Sequence, residues 1–131
     1  MTMLPFEDRV IAITGAGNGL GKAYAELIAT LGAKVLVNNR HRDPSAPSSA
    51  QEVVDAILSR GGHAMADHSD ISTEDGAQAM ARRALDAWGR IDGLICNAGF
   101  TRDKTFLKMP MDDFRAVIEV HLMGTDRKSV V

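Results

Sequence analysis

The sequence predicts an α/β fold, a doubly wound parallel sheet truncated to about four strands. Two observations support this prediction. Short apolar runs alternate with segments of helical periodicity, in the order β-α-β-α-β-α-β-α. The segments between the strands are long enough to form helices, and strands joined through helices run parallel. The chain has 131 residues, the size of one ordinary domain, and 45% of them are hydrophobic.

The composition argues against several classes of protein. The formal net charge is −2, which provides no general attraction to nucleic acid or to an anionic membrane. The one cysteine, Cys96, cannot form an intramolecular disulfide and is typical of a reducing compartment. No secretory leader and no apolar run of about 18 residues is visible. We therefore expect a cytoplasmic protein that binds neither nucleic acid nor membrane.

The first half of the chain predicts two strands and the helices that follow them. The first strand is "VIAIT", residues 10–14, and glycines follow it at once. The second strand is "AKVLVNN", residues 33–39, and a long loop rich in proline and serine comes next. Ser49 and Glu52 have the spacing of a capping box and predict the start of the second helix. We expect the first helix to bury an apolar stripe of Leu20, Tyr24, Leu27, Ile28 and Leu31.

The second half continues the alternation. The third strand is "HAMAD", residues 63–67, and the fourth strand with its exit is "IDGLICNAG", residues 91–99. A last helix begins after Pro110. The apolar faces predicted for the second and third helices are, respectively, Val53, Val54, Ile57 and Leu58, and Ala77, Met80, Ala81, Ala84, Leu85 and Trp88.

The segment "TGAGNGLGK", Thr14–Lys22, connects the first strand to the first helix, and we call it the glycine turn. The ATP-type phosphate loop does not fit, since its first glycine would fall on Ala16. The strict Gly-x-Gly-x-x-Gly pattern does not fit either. The pattern Thr-Gly-x-x-x-Gly-x-Gly does fit, and with it the sequence resembles the short-chain dehydrogenase/reductase family, which has a Rossmann-like fold.

Two further motifs strengthen this resemblance, which extends from Asp8 to Thr125. Asp70 and Ile71 follow the third strand, where the family places an acid near the adenine ring. "NAG", residues 97–99, ends the fourth strand and resembles the family motif that stabilises the sheet and borders the cofactor. Single motifs of this kind also occur in ordinary turns, but three of them follow successive strands in the family's order.

The resemblance implies a dinucleotide at the carboxyl ends of the strands. Gly15 would permit the tight turn, Gly19 would let the backbone approach the pyrophosphate, and Gly21 would let the helix pack close to the sheet. A glycine-rich turn without a ligand is the alternative interpretation. The predicted cofactor-binding residues are Thr14, Gly15, Asn18, Gly19, Leu20, Gly21, Asn39, Arg40, Asp70, Ile71, Asn97, Ala98 and Gly99.

The residues after the second strand bear on the choice of cofactor. An acid at this position binds the ribose 2′-hydroxyl of NAD and repels a 2′-phosphate. Here the position is Asn39, and Arg40, His41 and Arg42 follow it. Guanidiniums can pair with a phosphate through two hydrogen bonds. We predict NADP, with NAD as the alternative because Asn39 can also bond a plain ribose.

In the family, a tyrosine transfers the substrate proton, and a lysine four residues later lowers the pKa of that tyrosine and holds the ribose. A serine polarises the substrate, and an asparagine supports a water. The one tyrosine here is Tyr24, and Ile28 stands four residues later. His121 falls at the family's asparagine position, as in some hydroxyacyl-CoA dehydrogenases, and a partly buried structural histidine is the alternative. A metal site formed by His63, His68 and Asp70 lacks an evident fourth ligand, so we predict none.

We therefore predict the cofactor half of an NAD(P)-dependent oxidoreductase that interconverts a secondary alcohol and a ketone by hydride transfer. The nearest branch resembles hydroxyacyl-CoA dehydrogenases and ketoacyl reductases. A small carbonyl or alcohol substrate, with an acyl thioester as one candidate, and a homo-oligomeric parent enzyme are implied. The alternative is a non-catalytic dinucleotide-binding or partner-binding module that ends here.

The end of the chain carries a separate hypothesis. Residues 1–125 are predicted to be the N-terminal part of a dinucleotide-binding domain. The tail Asp126–Val131, "DRKSVV", lacks the apolar periodicity expected there, and it is also the translation of a common sequencing-adapter stretch. We expect the serine strand and the Tyr-x-x-x-Lys helix to lie beyond this end, so the chain alone should not turn over substrate.

Overall fold

The computed structural model describes residues 3–98, in which strands and helices alternate along the chain. His121 and Gly99 lie outside the described residues. The strands are β1 (Val10–Ile13), β2 (Lys34–Asn38), β3 (His63–Asp67) and β4 (Gly93–Ile95). The helices are α1 (Gly19–Thr30), α2 (Ser49–Ser59) and α3 (Glu74–Trp88).

The four strands form one parallel sheet in the order β3-β2-β1-β4. Ile13 pairs in register with Val37 of β2 and with Ile95 of β4. The segments that leave β1, β2, β3 and β4 therefore meet at one edge of the sheet, the carboxyl edge. The predicted α/β fold with a four-stranded parallel sheet is confirmed.

Apolar side chains cover both faces of the sheet, which makes it doubly wound. On one face, Ile13, Val35 and Val37 pack with residues of α1 and α2. On the other face, Leu36 packs with Met80 of α3. Strands buried on both faces are nearly continuous apolar runs, as β1 and β2 are here. None of the three helices described between residues 3 and 98 is long and apolar enough to cross a membrane.

The predicted apolar stripe of α1 is wrong in part. Leu20, Tyr24 and Leu27 are 67%, 39% and 58% exposed, so Tyr24 is not a core residue. The buried positions of this helix are Gly21, Ala25 and Ala29. These small residues let the helix axis lie close to the sheet, and of the predicted stripe Ile28 packs against the core whereas Leu20, Tyr24 and Leu27 are exposed.

The predicted cap of α2 is displaced by one residue. Ser48 is the N-cap, and its Oγ accepts a hydrogen bond of 3.1 Å from the backbone N–H of Gln51. Ser49 is the first helical residue, and its Oγ accepts a 2.7 Å hydrogen bond from Nδ2 of Asn39. The predicted apolar faces of α2 and α3 are otherwise buried or partly buried, except that Leu58 and Leu85 are exposed.

Candidate cofactor site

A cavity of about 500 Å³ lies at the carboxyl edge of the sheet. In sheets of this kind, ligands bind beyond the carboxyl ends of the strands, where neighbouring connections lead to opposite faces. Here β1 and β4 are neighbours in the sheet, and α1 and α3, which follow β1 and β3, lie on opposite faces. The lining residues are Gly15, Asn18, Gly19, Leu20, Asn38, Asn39, Arg40, Arg42, Asp70, Ile71, Asn97 and Ala98.

Most of the residues predicted to bind a cofactor line this cavity. The described exceptions are Thr14 and Gly21, which are buried and do not line it. Sequence segments that are far apart, from the glycine turn to the exit of β4, are thus brought together around one space. The structure therefore supports treating these segments as parts of one site.

The three glycines of the motif have different environments. Gly15 and Gly19 have φ values of +64° and +58°, a backbone conformation that favours glycine. A Cβ added at Gly15 would come within 2.7 Å of the Cα of Ala98, and one added at Gly21 would meet the carbonyl oxygen of Gly15. A Cβ at Gly19 would meet no atom of the described residues within 4 Å, apart from its own chain neighbours. Gly15 and Gly21 therefore serve close packing, whereas Gly19 presents its backbone to open space at the cavity.

The first turn of α1 has no side-chain cap. Asn18 is its N-cap but forms no capping hydrogen bond, and no acidic residue lies in this turn. Ser48 and Thr73, by contrast, cap α2 and α3 through the backbone N–H groups of Gln51 and Gly76. Uncapped N–H groups and the positive end of the helix dipole favour an anion. The cavity therefore has the donors that a phosphate requires.

The exit of β4 is tied to the glycine turn by three hydrogen bonds. The buried hydroxyl of Thr14 accepts from the backbone N–H groups of Asn97 and Ala98, at 3.1 and 3.0 Å. Nδ2 of Asn97 donates to the carbonyl oxygen of Gly15 at 3.1 Å. Thr14 and Asn97 thus fix the shape of the glycine turn. Thr14 does so although it is buried and does not line the cavity.

Sequence reasoning missed a buried polar network at the ends of β2 and β3. Nδ2 of Asn38 donates to Oδ2 of Asp67 at 2.6 Å, and both residues are almost fully buried. Asp67 also accepts from the hydroxyl of Ser69 and lies 3.3 Å from Nε of Arg83. The network anchors the segment that follows β3. This segment contains Asp70, which lines the cavity. No local pattern indicates it, because Asn38 and Asp67 are 29 positions apart.

Gly17, like the polar network, is a feature of the site that the sequence motif did not identify. A Cβ there would meet Oγ of Ser49 and would come within 2.5 Å of Nδ2 of Asn39. The glycine turn therefore lies directly against the start of α2 and the residue that follows β2. The motif treats this position as variable, so only the packing shows its importance.

The charged part of the lining surrounds the residue after β2. Arg40 and Arg42 both line the cavity, and Nη2 of Arg40 lies 3.7 Å from Oδ2 of Asp70. Partial burial opposes ionisation of Asp70, but hydrogen bonds from Ser72 and the charges of both arginines lower the pKa of this carboxyl below its ordinary value. This end of the cavity thus holds two cations and one anion, and the pairing of Arg40 with Asp70 is the feature that the sequence did not indicate.

The parallel sheet, its strand order and the glycine turn define a Rossmann-like α/β protein. Residues 9–127 match the family described as short chain dehydrogenase, and the chain belongs to that family. Proteins of this family typically bind NAD(P). The expected family membership is confirmed.

Two curated relatives and one solved structure illustrate the similarity. The chain is 44% identical over 122 residues to a short-chain type dehydrogenase/reductase of Mycobacterium tuberculosis, covering 90% of this chain and 43% of the relative. It is 38% identical over 122 residues to a 3-oxoacyl-(acyl-carrier-protein) reductase of Synechocystis, covering 93% of this chain and 48% of that protein. A short chain dehydrogenase from Mycobacterium avium superposes with a TM-score of 0.89 at 38% identity, covering 94% and 44% of the two chains. The chain thus spans less than half the length of these proteins.

Proposed function

We propose that the cavity binds the adenosine diphosphate part of NAD(P), and that the chain is the cofactor-binding part of an oxidoreductase. The open backbone of Gly19 beside the uncapped first turn of α1 carries this proposal. A diphosphate can approach there without meeting a side chain, and its charge complements the helix N-terminus. The bound dinucleotide would accept or donate the hydride that interconverts a secondary alcohol and a ketone.

The remaining lining residues have proposed roles around the nucleotide. Asn39 faces the ribose, Asp70 and Ile71 border the adenine ring, and Asn97 and Ala98 border the nicotinamide side of the cavity. Arg40 and Arg42 favour NADP over NAD, since a 2′-phosphate requires cations. Asn39 leaves NAD as the alternative, because its amide can bond a 2′-hydroxyl.

The substrate proposal comes from the family and not from the cavity. An acyl thioester is the candidate, supported by the 38% identity to a 3-oxoacyl-(acyl-carrier-protein) reductase. Tyr24 is half-exposed on α1, with Ile28 rather than lysine four residues later, so we do not assign it proton transfer. We propose that the 131-residue chain alone is inactive, that the parent enzyme is a homo-oligomer, and that it works in the cytoplasm.

Calorimetric titration of the purified chain tests the proposal. NADP⁺ should bind at one site per chain, 2′,5′-ADP should compete with it, and 5′-AMP should compete less well. Competition by both nucleotides to the same extent would favour NAD instead. A folded sample that binds neither dinucleotide would refute the assignment of the cavity. A longer native reading frame that contains Tyr-x-x-x-Lys would separate the oxidoreductase from the alternative of a non-catalytic module.

A further inference from the structure

Arg40 and Asp70 form an ion pair in the lining of the cavity, with 3.7 Å between Nη2 and Oδ2. Asp70 is held in place, because its Oδ1 accepts hydrogen bonds from the backbone N–H and the hydroxyl of Ser72 at 3.1 and 2.6 Å. The guanidinium of Arg40 stands at the end of a long side chain that is 45% exposed. The guanidinium therefore rests beside a carboxylate that the hydrogen bonds from Ser72 hold in place.

This ion pair bears on the choice between two cofactors that differ by one phosphate on the ribose. Asn39 directly precedes Arg40, and the residue after the second strand faces the ribose in folds of this kind. A 2′-phosphate at this position needs Arg40 as its partner and therefore competes with the carboxylate of Asp70 for the same guanidinium. A 2′-hydroxyl needs no cation, so it does not compete for Arg40. The same carboxylate thus opposes one cofactor and not the other.

We infer that Asp70 is a specificity-determining residue that acts through Arg40 and lowers the affinity for NADP(H) relative to NAD(H). The inference rests on the proposed function, since it requires the nucleotide to bind in this cavity. Arg42 lines the same cavity and provides a second guanidinium. The preference for NADP(H) is therefore a balance between two arginines that attract the 2′-phosphate and one carboxylate that opposes them.

A double-mutant cycle tests the inference. Dissociation constants for NADP⁺ and NAD⁺ are measured by calorimetry for the wild type, D70N, R40Q and the double variant. D70N removes the charge but keeps an oxygen that can accept from Ser72. In D70N the ratio of the NAD⁺ constant to the NADP⁺ constant should rise about two- to fivefold, as expected for an exposed ion pair. In the R40Q background the same substitution should change the ratio by less than about twofold.

The ratio of the two dissociation constants makes the test specific. Any contact of Asp70 with the adenine ring affects both constants alike and cancels in the ratio. D86N is the matched control, since it removes a carboxylate from an exposed position of α3 outside the cavity and should leave the ratio unchanged. Asp70→Ser serves as a second variant if D70N does not fold. An unchanged ratio in D70N, or an equal rise with and without Arg40, overturns the inference. A wild type that binds neither dinucleotide overturns the proposed function itself.

Discussion

Replacing Gly19 by alanine should weaken dinucleotide binding far more than it destabilises the fold. The φ of +58° makes any other residue strained, at a cost of about 1 kcal/mol in the free energy of unfolding. Apart from its own chain neighbours, no atom of residues 3–98 lies within 4 Å of the added Cβ, so packing within this part of the chain adds no further cost. The methyl group would instead occupy space beside the uncapped first turn of α1, where we place the diphosphate.

The loss of affinity follows from contact distances. A phosphate oxygen accepts from a backbone N–H at about 2.9 Å, whereas an oxygen or carbon atom needs about 3.5 Å from a methyl carbon. Losing one hydrogen bond to a charged group costs about 1.5–3 kcal/mol, so the dissociation constant of NADP⁺ should rise about ten- to hundredfold. Calorimetric titration measures the affinity, and urea denaturation measures the stability.

Gly89→Ala is the matched control for this experiment. Gly89 is the C-cap of α3, with φ of +75°, and it does not line the cavity. Within residues 3–98 an added Cβ there would have no atom within 4 Å other than its chain neighbours. It should lose about the same stability as G19A and keep its affinity for the nucleotide. If G19A binds NADP⁺ as tightly as G89A does, the diphosphate does not lie at Gly19 and our reasoning is wrong.

Three further substitutions test the packing and electrostatics around the site. G21A should lower the free energy of unfolding by about 1–3 kcal/mol in urea, because the added Cβ would lie 2.6 Å from Nδ2 of Asn97; a variant as stable as the wild type would contradict the close packing of α1. Thr14→Val should cost about 1–3 kcal/mol, since two backbone donors lose their buried acceptor, and Thr14→Ser should restore most of it if the hydroxyl is responsible. Hydrogen bonds from Arg90 and from a backbone N–H lower the pKa of Asp92 to about 2, below its ordinary value of about 3.9. The contribution of Asp92 to stability is therefore complete above the ordinary pKa and is lost as the pH falls through the lowered pKa. D92N should therefore flatten the acid limb of the stability–pH curve, and an unchanged limb would show that Asp92 does not contribute.

The fold was largely predictable, because apolar runs and helical spacing occur in the same order as the elements that form. Errors arose where neighbouring residues are chemically equivalent or where side-chain size decides the packing. Ser48 and Ser49 have identical side chains, and contacts with distant residues distinguish them: Ser48 contacts His68 and caps α2, whereas Ser49 contacts Asn39. The helical periodicity of α1 is correct, but alanine and glycine rather than leucine and tyrosine face the sheet.

The parts of the candidate site that require glycine in the backbone were predictable from the sequence. The parts that depend on contacts between distant segments were not. Gly15, Gly19 and Gly21 were identified because their spacing is a motif. The pairing of Asn38 with Asp67 and that of Arg40 with Asp70 join residues on different segments, and nothing in either segment signals the partner. Under our inference the choice of cofactor depends on the pairing of Arg40 with Asp70, which the sequence pattern does not indicate.

The hydrogen bonds between Thr14 and the exit of β4 have a consequence for how the protein is made. Thr14 and Asn97 are 83 positions apart, so the ribosome completes the glycine turn long before it adds the residue that secures it. During this interval the hydroxyl of Thr14 has neither of its two backbone donors, and the carbonyl of Gly15 lacks its partner amide. The hydrogen bonds that fix the glycine turn at the cavity therefore form late in synthesis, only after the exit of β4 has been added to the chain.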